Sequence, residues 1–404
     1  MGGIGELEWQ ERIARAVELV GTPCYVAAWP PVAAALNCIR RVPSRIPLRS
    51  WLSFKTHPLP HLAARWLADG EGVEVVSEAE LTTVVGLGAS VDQLLVNGVA
   101  KHEWLPRHGR DRLRVHFDSL REVEQLLSLA TAQRWRVGVR CHVPDERDAR
   151  APEFGGQFGM SRDEAIDALT LLREQGADLQ SVHFHLGQSR QHPEACIRAV
   201  AYVAGVCAAA NARPAVLDCG GGLPAPDDPD CDRARDGLAR AVREAPELIP
   251  SLEEIWLENG RFITAPSTAL AVRVLDVKER AECRYVICDG GRTNQALAAD
   301  HGPHPLITLP PRSGRPRLTT VCGPTCMTDD QLGRWRLPDD VAVGDVIAWC
   351  DAGAYHLPWE TRFSHGLCAV VWDGGDGRLV VARERERPDA ALQRWSMPEV
   401  FVDA

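Results

Sequence analysis

Short apolar runs alternate with helix-like stretches from about residue 24 to residue 264. We interpret as strands the runs 73–76, 93–96, 114–117, 136–139, 181–185, 215–218 and 255–257. Helical periodicity marks the segments 78–85, 119–130, 162–174, 193–210 and 232–245. Alternation at this spacing is typical of a parallel sheet, and about eight strand–helix units close into a (β/α)8 barrel. We therefore predict an α/β fold with such a barrel over residues 22–265.

The pattern changes beyond Ala265. The strand-like runs 269–277, 284–288, 345–350, 368–372 and 379–382 are separated by Gly and Pro turns, and helical periodicity is weak. We therefore predict a separate C-terminal β domain over residues 266–404.

Composition and charge argue against several classes of protein. The formal net charge of −10 does not suit a nucleic-acid binder, which would concentrate basic residues on one face. The N-terminal segment contains several glutamates, and no stretch approaches the ~20 apolar residues of a membrane-spanning helix. The 13 cysteines lack CxxC pairs and zinc-site spacing, so we expect mostly buried thiols and no metal. The protein is expected to be cytoplasmic, with no membrane or nucleic-acid partner.

Lys55 follows the apolar run Leu52-Ser53-Phe54, as a residue at the end of a barrel strand would. Barrel enzymes have their active sites at that face. Partial desolvation there lowers the pKa of a lysine, and a neutral amine can attack an aldehyde. A lone lysine is more often a surface residue, so this interpretation depends on companion motifs.

Two further segments suit parts of the same kind of site. The three glycines at 220–222 closely follow a strand-like run, and their unhindered amides can surround a phosphate, although three glycines alone more often mark a turn. Glu258 lies at the end of another strand-like run. An exposed glutamate before a turn would otherwise be ordinary.

Five motifs, in this order, resemble those of the fold-type III decarboxylases that depend on pyridoxal phosphate (PLP), a group that includes diaminopimelate and ornithine decarboxylases. They are Ser53-Phe54-Lys55-Thr56-His57-Pro58, His183-Phe184-His185-Leu186-Gly187, Asp218-Cys219-Gly220-Gly221-Gly222, Glu258-Asn259-Gly260-Arg261 and Cys322-Gly323-Pro324-Thr325-Cys326. The resemblance covers nearly the whole chain. It implies an alanine-racemase-like barrel, a C-terminal β domain to which residues 1–21 contribute, and a carboxy-lyase that uses PLP.

The resemblance also implies a role for each matching residue. Lys55 would bind the cofactor covalently, Glu258 would keep its pyridine nitrogen protonated, and His185 would stack on its ring. The other cofactor contacts would come from Arg140, Gly220, Gly221, Gly222, Gly260, Arg261 and Tyr355.

Three of the motifs depart from the family pattern. His57 stands where Asn is usual, Asn259 replaces a proline, and either Gln188 or Ser189 would take the place of a serine. Asn259 puts the rigidity of its turn in question more than the role of the preceding carboxylate.

Cys326 matches a cysteine that, in this family, crosses a dimer interface and protonates Cα after decarboxylation. The resemblance therefore implies a homodimer with shared active sites, whose catalytic residues are Lys55, His185, Glu258 and Cys326.

Met327 follows this cysteine where the ornithine enzymes have Asp and the diaminopimelate enzymes have Glu. A thioether cannot offset the free-energy cost of desolvating the distal ammonium of such substrates. Cationic groups lie beside motif positions instead, which gives a predicted substrate site of Arg292, Met327, His356 and Arg362. The chain thus resembles the decarboxylases that act on citryl-conjugated amino acids in siderophore biosynthesis, and our main prediction is an L-amino acid or conjugate of that kind.

Other functions compete with this interpretation. A diaminopimelate or ornithine/lysine decarboxylase is one alternative. An amino-acid racemase of the same fold would need a tyrosine base and would have no use for Cys326. A PLP-binding carrier protein would lack the β domain, and a catalytically inactive homologue would not need Lys55, Glu258 and Cys326 together.

Overall fold

The computed structural model describes residues 5–144, 156–187, 193–280, 283–295, 304–390 and 394–395. The helices are α1 Glu6–Val20, α2 Trp29–Arg40, α3 Pro60–Ala68, α4 Glu78–Gly86, α5 Leu120–Ala132, α6 Arg162–Glu174, α7 Pro193–Ala209, α8 Cys231–Leu248, α9 Gly260–Thr264, α10 Arg292–Gln295 and α11 His356–Trp359. The strands are β1 Cys24–Ala28, β2 Leu48–Ser53, β3 Gly72–Val75, β4 Leu94–Val96, β5 Arg114–Phe117, β6 Arg136–Cys141, β7 Asp178–Phe184, β8 Val216–Asp218, β9 Glu254–Leu257, β10 Thr268–Glu279, β11 Arg284–Cys288, β12 Leu306–Leu309, β13 Pro316–Cys322, β14 Gln331–Pro338, β15 Val346–Trp349, β16 Ala369–Asp373 and β17 Leu379–Arg383.

The chain divides into two compact units. The barrel unit comprises Ala33–Ile263, and the β unit combines Met1–Val32 with Thr264–Ala404. Within the described residues, no helix is both long and apolar enough to cross a membrane.

The barrel unit contains the parallel strands β2 to β9, which close into a barrel in chain order across its described residues. The closure is made by β2, which hydrogen-bonds to β3 on one side and to β9 on the other. Strands β3, β4 and β5 are buried along their whole length, as expected for a parallel sheet covered by helices. The predicted (β/α)8 barrel is confirmed, and each predicted barrel strand coincides with one of β3 to β9 to within a few residues.

Serine side chains begin three of the barrel helices. Ser77, Ser119 and Ser161 precede α4, α5 and α6, and each hydroxyl accepts a hydrogen bond from the backbone N–H three residues later. These caps satisfy backbone donors that the first turn of a helix leaves unpaired. At Ser77 and Ser119, which closely follow β3 and β5, the caps help the chain to turn sharply from strand to helix.

The β unit is built on a mostly antiparallel sheet with the order β14-β13-β11-β10-β1-β16-β17, in which β15 and β12 extend from β10. The strand β1 runs antiparallel to β10 and parallel to β16. The predicted barrel range of 22–265 included this strand, but its hydrogen-bond partners all lie in the β unit. Helix α1 covers the same sheet, because Trp9, Ile13 and Ala16 join its buried apolar cluster.

Candidate active site

Lys55 lies at the carboxyl end of the barrel strand β2. The strand ends at Ser53, and the chain continues into a short 3-10 turn over Phe54–Thr56. The Lys55 side chain is 43% exposed, and its Nζ lies 3.2 and 3.3 Å from the two carboxylate oxygens of Glu74. Ser53 Oγ donates a hydrogen bond of 2.5 Å to Glu74 Oε2. The buried Glu74 on β3 therefore holds the lysine amine at the carboxyl ends of the strands.

The glycine loop, residues 220–222, follows β8. Gly220 and Gly222 have φ values of +59° and +115°, a region that favours glycine. A Cβ atom on Gly221 would lie 2.4 Å from the carbonyl oxygen of Glu258, so a larger residue would displace backbone. The Gly221 N–H donates to His185 Nδ1 at 3.1 Å. The loop thus lies directly between His185 and Glu258, with no side chain of its own to obstruct a phosphate group.

A second glycine brings the Lys55 segment close to the Glu258 segment. A Cβ on Gly260 would lie 2.5 Å from the Thr56 methyl group and 3.1 Å from Ser53 Cβ. Only a residue without a side chain permits this approach. The neighbouring Arg261 is partly buried at the start of α9.

Glu258 is buried at the end of β9, where its Oε1 accepts a hydrogen bond from the Asn97 amide. Burial raises the pKa of the Glu258 carboxyl well above its ordinary value, and the nearby carboxylates of Asp218 and Glu74 raise it further. The Lys55 ammonium acts in the opposite direction. Glu258 is therefore suited to hold a proton that a basic ring nitrogen could share.

Two stacked histidines lie beside Glu258 in the barrel. The rings of His116 on β5 and His183 on β7 are 4.9 Å apart between centroids and 20° from parallel. His183 Nε2 lies 3.9 Å from Glu258 Oε2, and neither ring nitrogen of His183 has a hydrogen-bond partner among the described residues. Burial lowers the pKa of His116 to about 3 and lowers that of His183 well below its ordinary value. Both imidazoles are therefore neutral near neutral pH.

Arg140, at the end of β6, belongs to a chain of buried charges. Its Nη1 lies 3.2 Å from Asp118 Oδ1, and its guanidinium lies over the Phe158 ring at 4.8 Å. The Asp118 backbone N–H donates to Glu122, which forms a fully buried ion pair of 2.7 Å with Lys101. These contacts hold the Arg140 guanidinium in place. Loss of any one partner would leave a charge inside the barrel without compensation.

The barrel residues fit the four parts of PLP. Lys55 offers an amine for the aldehyde, the glycine loop offers amides for the phosphate, Glu258 offers a carboxyl for the ring nitrogen and His185 offers a flat ring. The two ring nitrogens of His183, which have no hydrogen-bond partner among the described residues, could bind a further polar group of the cofactor near Glu258. The donor atoms of His183, His185 and Glu258 also lie within 4.8 Å of one another, a spacing that would suit a metal ion as well.

The other predicted site residues belong to the β unit. Cys326 is exposed and Met327 is 49% exposed, and both line a cavity of about 350 Å³ together with Phe363 and His365. Their loop is anchored by the buried Asp330, whose carboxylate accepts hydrogen bonds from the backbone N–H groups of Thr325 and Arg292 at 2.9 and 2.7 Å. The thiol of Cys326 is thus presented at the surface of the β unit on a fixed loop.

Three more predicted residues differ in their surroundings. Tyr355 has a φ of +70° and stacks on Trp359 at 5.0 Å between ring centroids. His356 is 1% exposed and packs edge-on against His304. Arg362 Nε donates to both carboxylate oxygens of Glu386, at 2.9 and 3.0 Å. His356 is thus a core residue of the β unit, and Arg362 already has an anionic partner. Gln188 and Ser189 lie outside the described residues.

Sequence reasoning missed Glu74, Asn97, His116 and Asp118. Each is a polar residue at the end of a barrel strand or inside it, where a surface position would be the first interpretation. The available signal was a polar residue within a run otherwise buried on both faces, as in Gly72–Val75 and Arg114–Phe117.

Residues 46–265 match the pyridoxal-binding domain of the pyridoxal-dependent decarboxylases. The chain is 29% identical to a diaminopimelate decarboxylase of Actinosynnema pretiosum subsp. auranticum, over 96% of this chain and 90% of that protein. It is 26% identical to the diaminopimelate decarboxylase of Deinococcus radiodurans, over 92% and 95% of the two chains.

Its fold is similar to the crystal structure of diaminopimelate decarboxylase from M. jannaschii in complex with L-lysine. The TM-score is 0.83 at 20% identity, covering 96% of this chain and 95% of that one. The matched domain spans more than half of this chain and contains Lys55, the glycine loop and Glu258. The chain therefore belongs to the pyridoxal-dependent decarboxylases, enzymes that use PLP to release carbon dioxide from amino acids.

Proposed function

We propose that this chain decarboxylates diaminopimelate. The observation that carries the proposal is the extent of the similarity to diaminopimelate decarboxylases, which reaches 96% of this chain. That similarity includes both the barrel unit and most of the β unit, so it is not limited to cofactor binding. It supports the diaminopimelate alternative over our main sequence-based prediction of a siderophore precursor.

We assign a different role in the reaction to each of three barrel residues. PLP supplies an electron sink for the pair left at Cα when carbon dioxide departs. Lys55 is the amine that we assign to the aldehyde, and Glu74 orients it through the contacts of 3.2 and 3.3 Å. Glu258 would share a proton with the ring nitrogen, since burial makes its carboxylate a stronger base than an exposed one.

We assign the final proton transfer to Cys326. Its thiol lies on the surface of the β unit, on the loop anchored by Asp330, where it can deliver a proton to Cα of a substrate bound by another subunit. The proposal therefore includes a homodimer in which each active site uses residues of two chains. An exposed thiol can serve as a proton donor, whereas the buried cysteines of this chain are inaccessible.

Met327 favours a second candidate, the decarboxylation of a conjugate rich in carboxylates. Its half-exposed thioether cannot pair with the distal ammonium of diaminopimelate or ornithine. A citryl-conjugated amino acid would not need such a pair. One of the predicted substrate residues supports this candidate less, because His356 is buried.

The two candidates are separated by comparing kcat/KM for meso-diaminopimelate, ornithine, lysine and a citryl-diaminopropionate conjugate. We expect the highest value for meso-diaminopimelate. Met327→Glu should raise kcat/KM for that substrate by about tenfold relative to the neutral control Met327→Gln, since a carboxylate would pair with the distal ammonium. A wide preference for the conjugate would replace the first candidate with the second. A wide preference for ornithine would place the enzyme in the polyamine branch.

A further inference from the structure

A cleft in the β unit has a charge balance opposite to that of the whole chain. The cavity measures about 460 Å³, and among the described residues that line it are Arg362, Arg385, Arg387 and Arg394. The acidic residues that line it are Asp289 and Glu386. The chain as a whole has 55 acidic and 45 basic residues, so an excess of arginine here is a local feature. We call this cavity the arginine cleft.

Glu386 fixes two of these arginines in place. Its carboxylate accepts hydrogen bonds from Arg362 Nε at 2.9 and 3.0 Å and from Arg394 Nη1 at 2.7 Å. The Leu367 backbone N–H donates to the same carboxylate at 3.0 Å, and this contact, followed by Arg362, lowers the pKa of Glu386. A single carboxylate thus orients two guanidinium groups and leaves one positive charge uncompensated.

Arg385 has no carboxylate partner within the described part of the chain, where its hydrogen bond of 3.1 Å goes to the carbonyl oxygen of Val20. Asp289, the acidic residue of the cleft that does not bind Arg362 or Arg394, accepts hydrogen bonds from Thr22 Oγ1 at 2.6 Å and from the Arg273 backbone N–H at 2.7 Å. Arg385 is only partly exposed, and burying a cation without a counterion is costly. Arg387 differs, because it forms a surface pair with Asp389.

We propose that the arginine cleft binds a compact polyanion through Arg385 and the Arg362–Glu386–Arg394 group. Guanidinium groups bind carboxylate and phosphate oxygens through paired hydrogen bonds, and both kinds of anion share this chemistry. Asn294 and His365 also line the cleft and add further polar groups. The volume is within the range of small-molecule sites. This inference goes beyond the proposed function and does not depend on which amino acid is decarboxylated.

Isothermal titration calorimetry on the holoenzyme in HEPES buffer tests the inference, with citrate and inorganic pyrophosphate as separate probes. We expect at least one probe to bind, with an affinity that falls as sodium chloride is raised. Arg385→Gln should weaken that binding by about tenfold or more, because it removes a charge-assisted contact. Arg378→Gln is the matched control, since Arg378 is exposed on the β16–β17 turn and does not line the cleft.

The relative affinities of the two probes identify the class of anion. Tighter binding of citrate would indicate a polycarboxylate, and tighter binding of pyrophosphate would indicate a phosphate compound. If Arg385→Gln does not fold, Arg394→Gln provides a second variant, because Arg394 is exposed and belongs to the proposed binding group, with a smaller expected loss. The inference is overturned if neither probe binds at millimolar concentration. It is equally overturned if binding is the same in the wild type, the cleft variants and Arg378→Gln. Decarboxylase kinetics do not enter either result, so the proposed function is tested separately.

Discussion

Several ionisable groups around Glu258 are uncharged because the barrel buries them. Burial raises the pKa of Glu258 and lowers those of His116 and His183, so all three favour their neutral forms. The charged Lys55–Glu74 pair lies at the strand ends nearby. A basic ring nitrogen bound beside Glu258 would thus have neutral imidazoles next to it, with the Lys55–Glu74 pair at the strand ends.

The neutral state of His116 should affect the stability of the protein as the pH changes. Its pKa is about 3 in the folded protein and near the ordinary value of 6.5 in the unfolded chain. Below pH 6.5 the unfolded chain binds a proton that the folded protein does not. The stabilising contribution is therefore complete above pH 6.5 and is lost as the pH falls toward 3. The free energy of unfolding should decrease by about 1.4 kcal/mol per pH unit from this residue alone.

Urea denaturation of wild type and His116→Asn at pH 7 and pH 5 measures this effect. The fall in unfolding free energy between the two pH values should be smaller in the variant by roughly 2 kcal/mol. Equal falls in both proteins would show that His116 is protonated in the folded barrel.

The positions of Lys55 and Glu258 at strand ends could be predicted, because each follows an apolar run of the barrel pattern. Glu74 could not, since its role depends on the register that places it opposite Ser53 across β2 and β3. Register between strands distant in sequence is a tertiary property, and the local pattern does not contain it. The same holds for the stacking of His116 on His183, whose strands β5 and β7 are not adjacent.

At the scale of elements, the glycine loop controls how closely the residues that follow β8 approach the residues that follow β9. Gly221→Ala would place a methyl group 2.4 Å from the Glu258 carbonyl oxygen. Overpacking of this kind typically costs about 1–3 kcal/mol. We expect PLP affinity to fall at least tenfold, as measured by absorbance titration of the apoprotein.

Gly205→Ala is the control for that substitution. Gly205 lies inside helix α7, and the added methyl group would make an ordinary van der Waals contact with the Arg162 side chain at 3.5 Å. Alanine should stabilise this helix by about 0.5–1 kcal/mol and leave PLP affinity unchanged. Equal PLP affinity in both variants would mean that the loop does not bind the phosphate.

The barrel elements were predictable and part of the β unit was not. Barrel strands are buried on both faces and therefore appear as continuous apolar runs. The strand β14, with the sequence Gln-Leu-Gly-Arg-Trp-Arg-Leu-Pro, has exposed and buried positions mixed along its length. It forms the end of the sheet beyond β13, where charged side chains are tolerated. Its composition therefore resembles a loop, and β13 has a similarly exposed first half.

At the scale of the whole molecule, the proposed homodimer has a direct test. Lys55→Ala and Cys326→Ala dimers should each have little activity. Subunit exchange between equal amounts of the two should restore about a quarter of wild-type activity, because half of the re-formed dimers would contain one intact site. Activity after mixing that equals the average of the two variants would mean that each active site is built from one chain.

The strand β1 has a consequence for synthesis on the ribosome. It lies in the middle of its sheet, between β10 and β16, yet nearly the whole barrel unit is made after β1 and before either of these neighbours. At cellular rates of translation, β16 follows tens of seconds later. During that interval the barrel unit, Ala33–Ile263, is synthesised, while the apolar residues of β1 lack one or both of their neighbouring strands. The nascent chain thus carries an incompletely paired, aggregation-prone strand until β10 and β16 have both been made, and this is where a holding chaperone would be needed most.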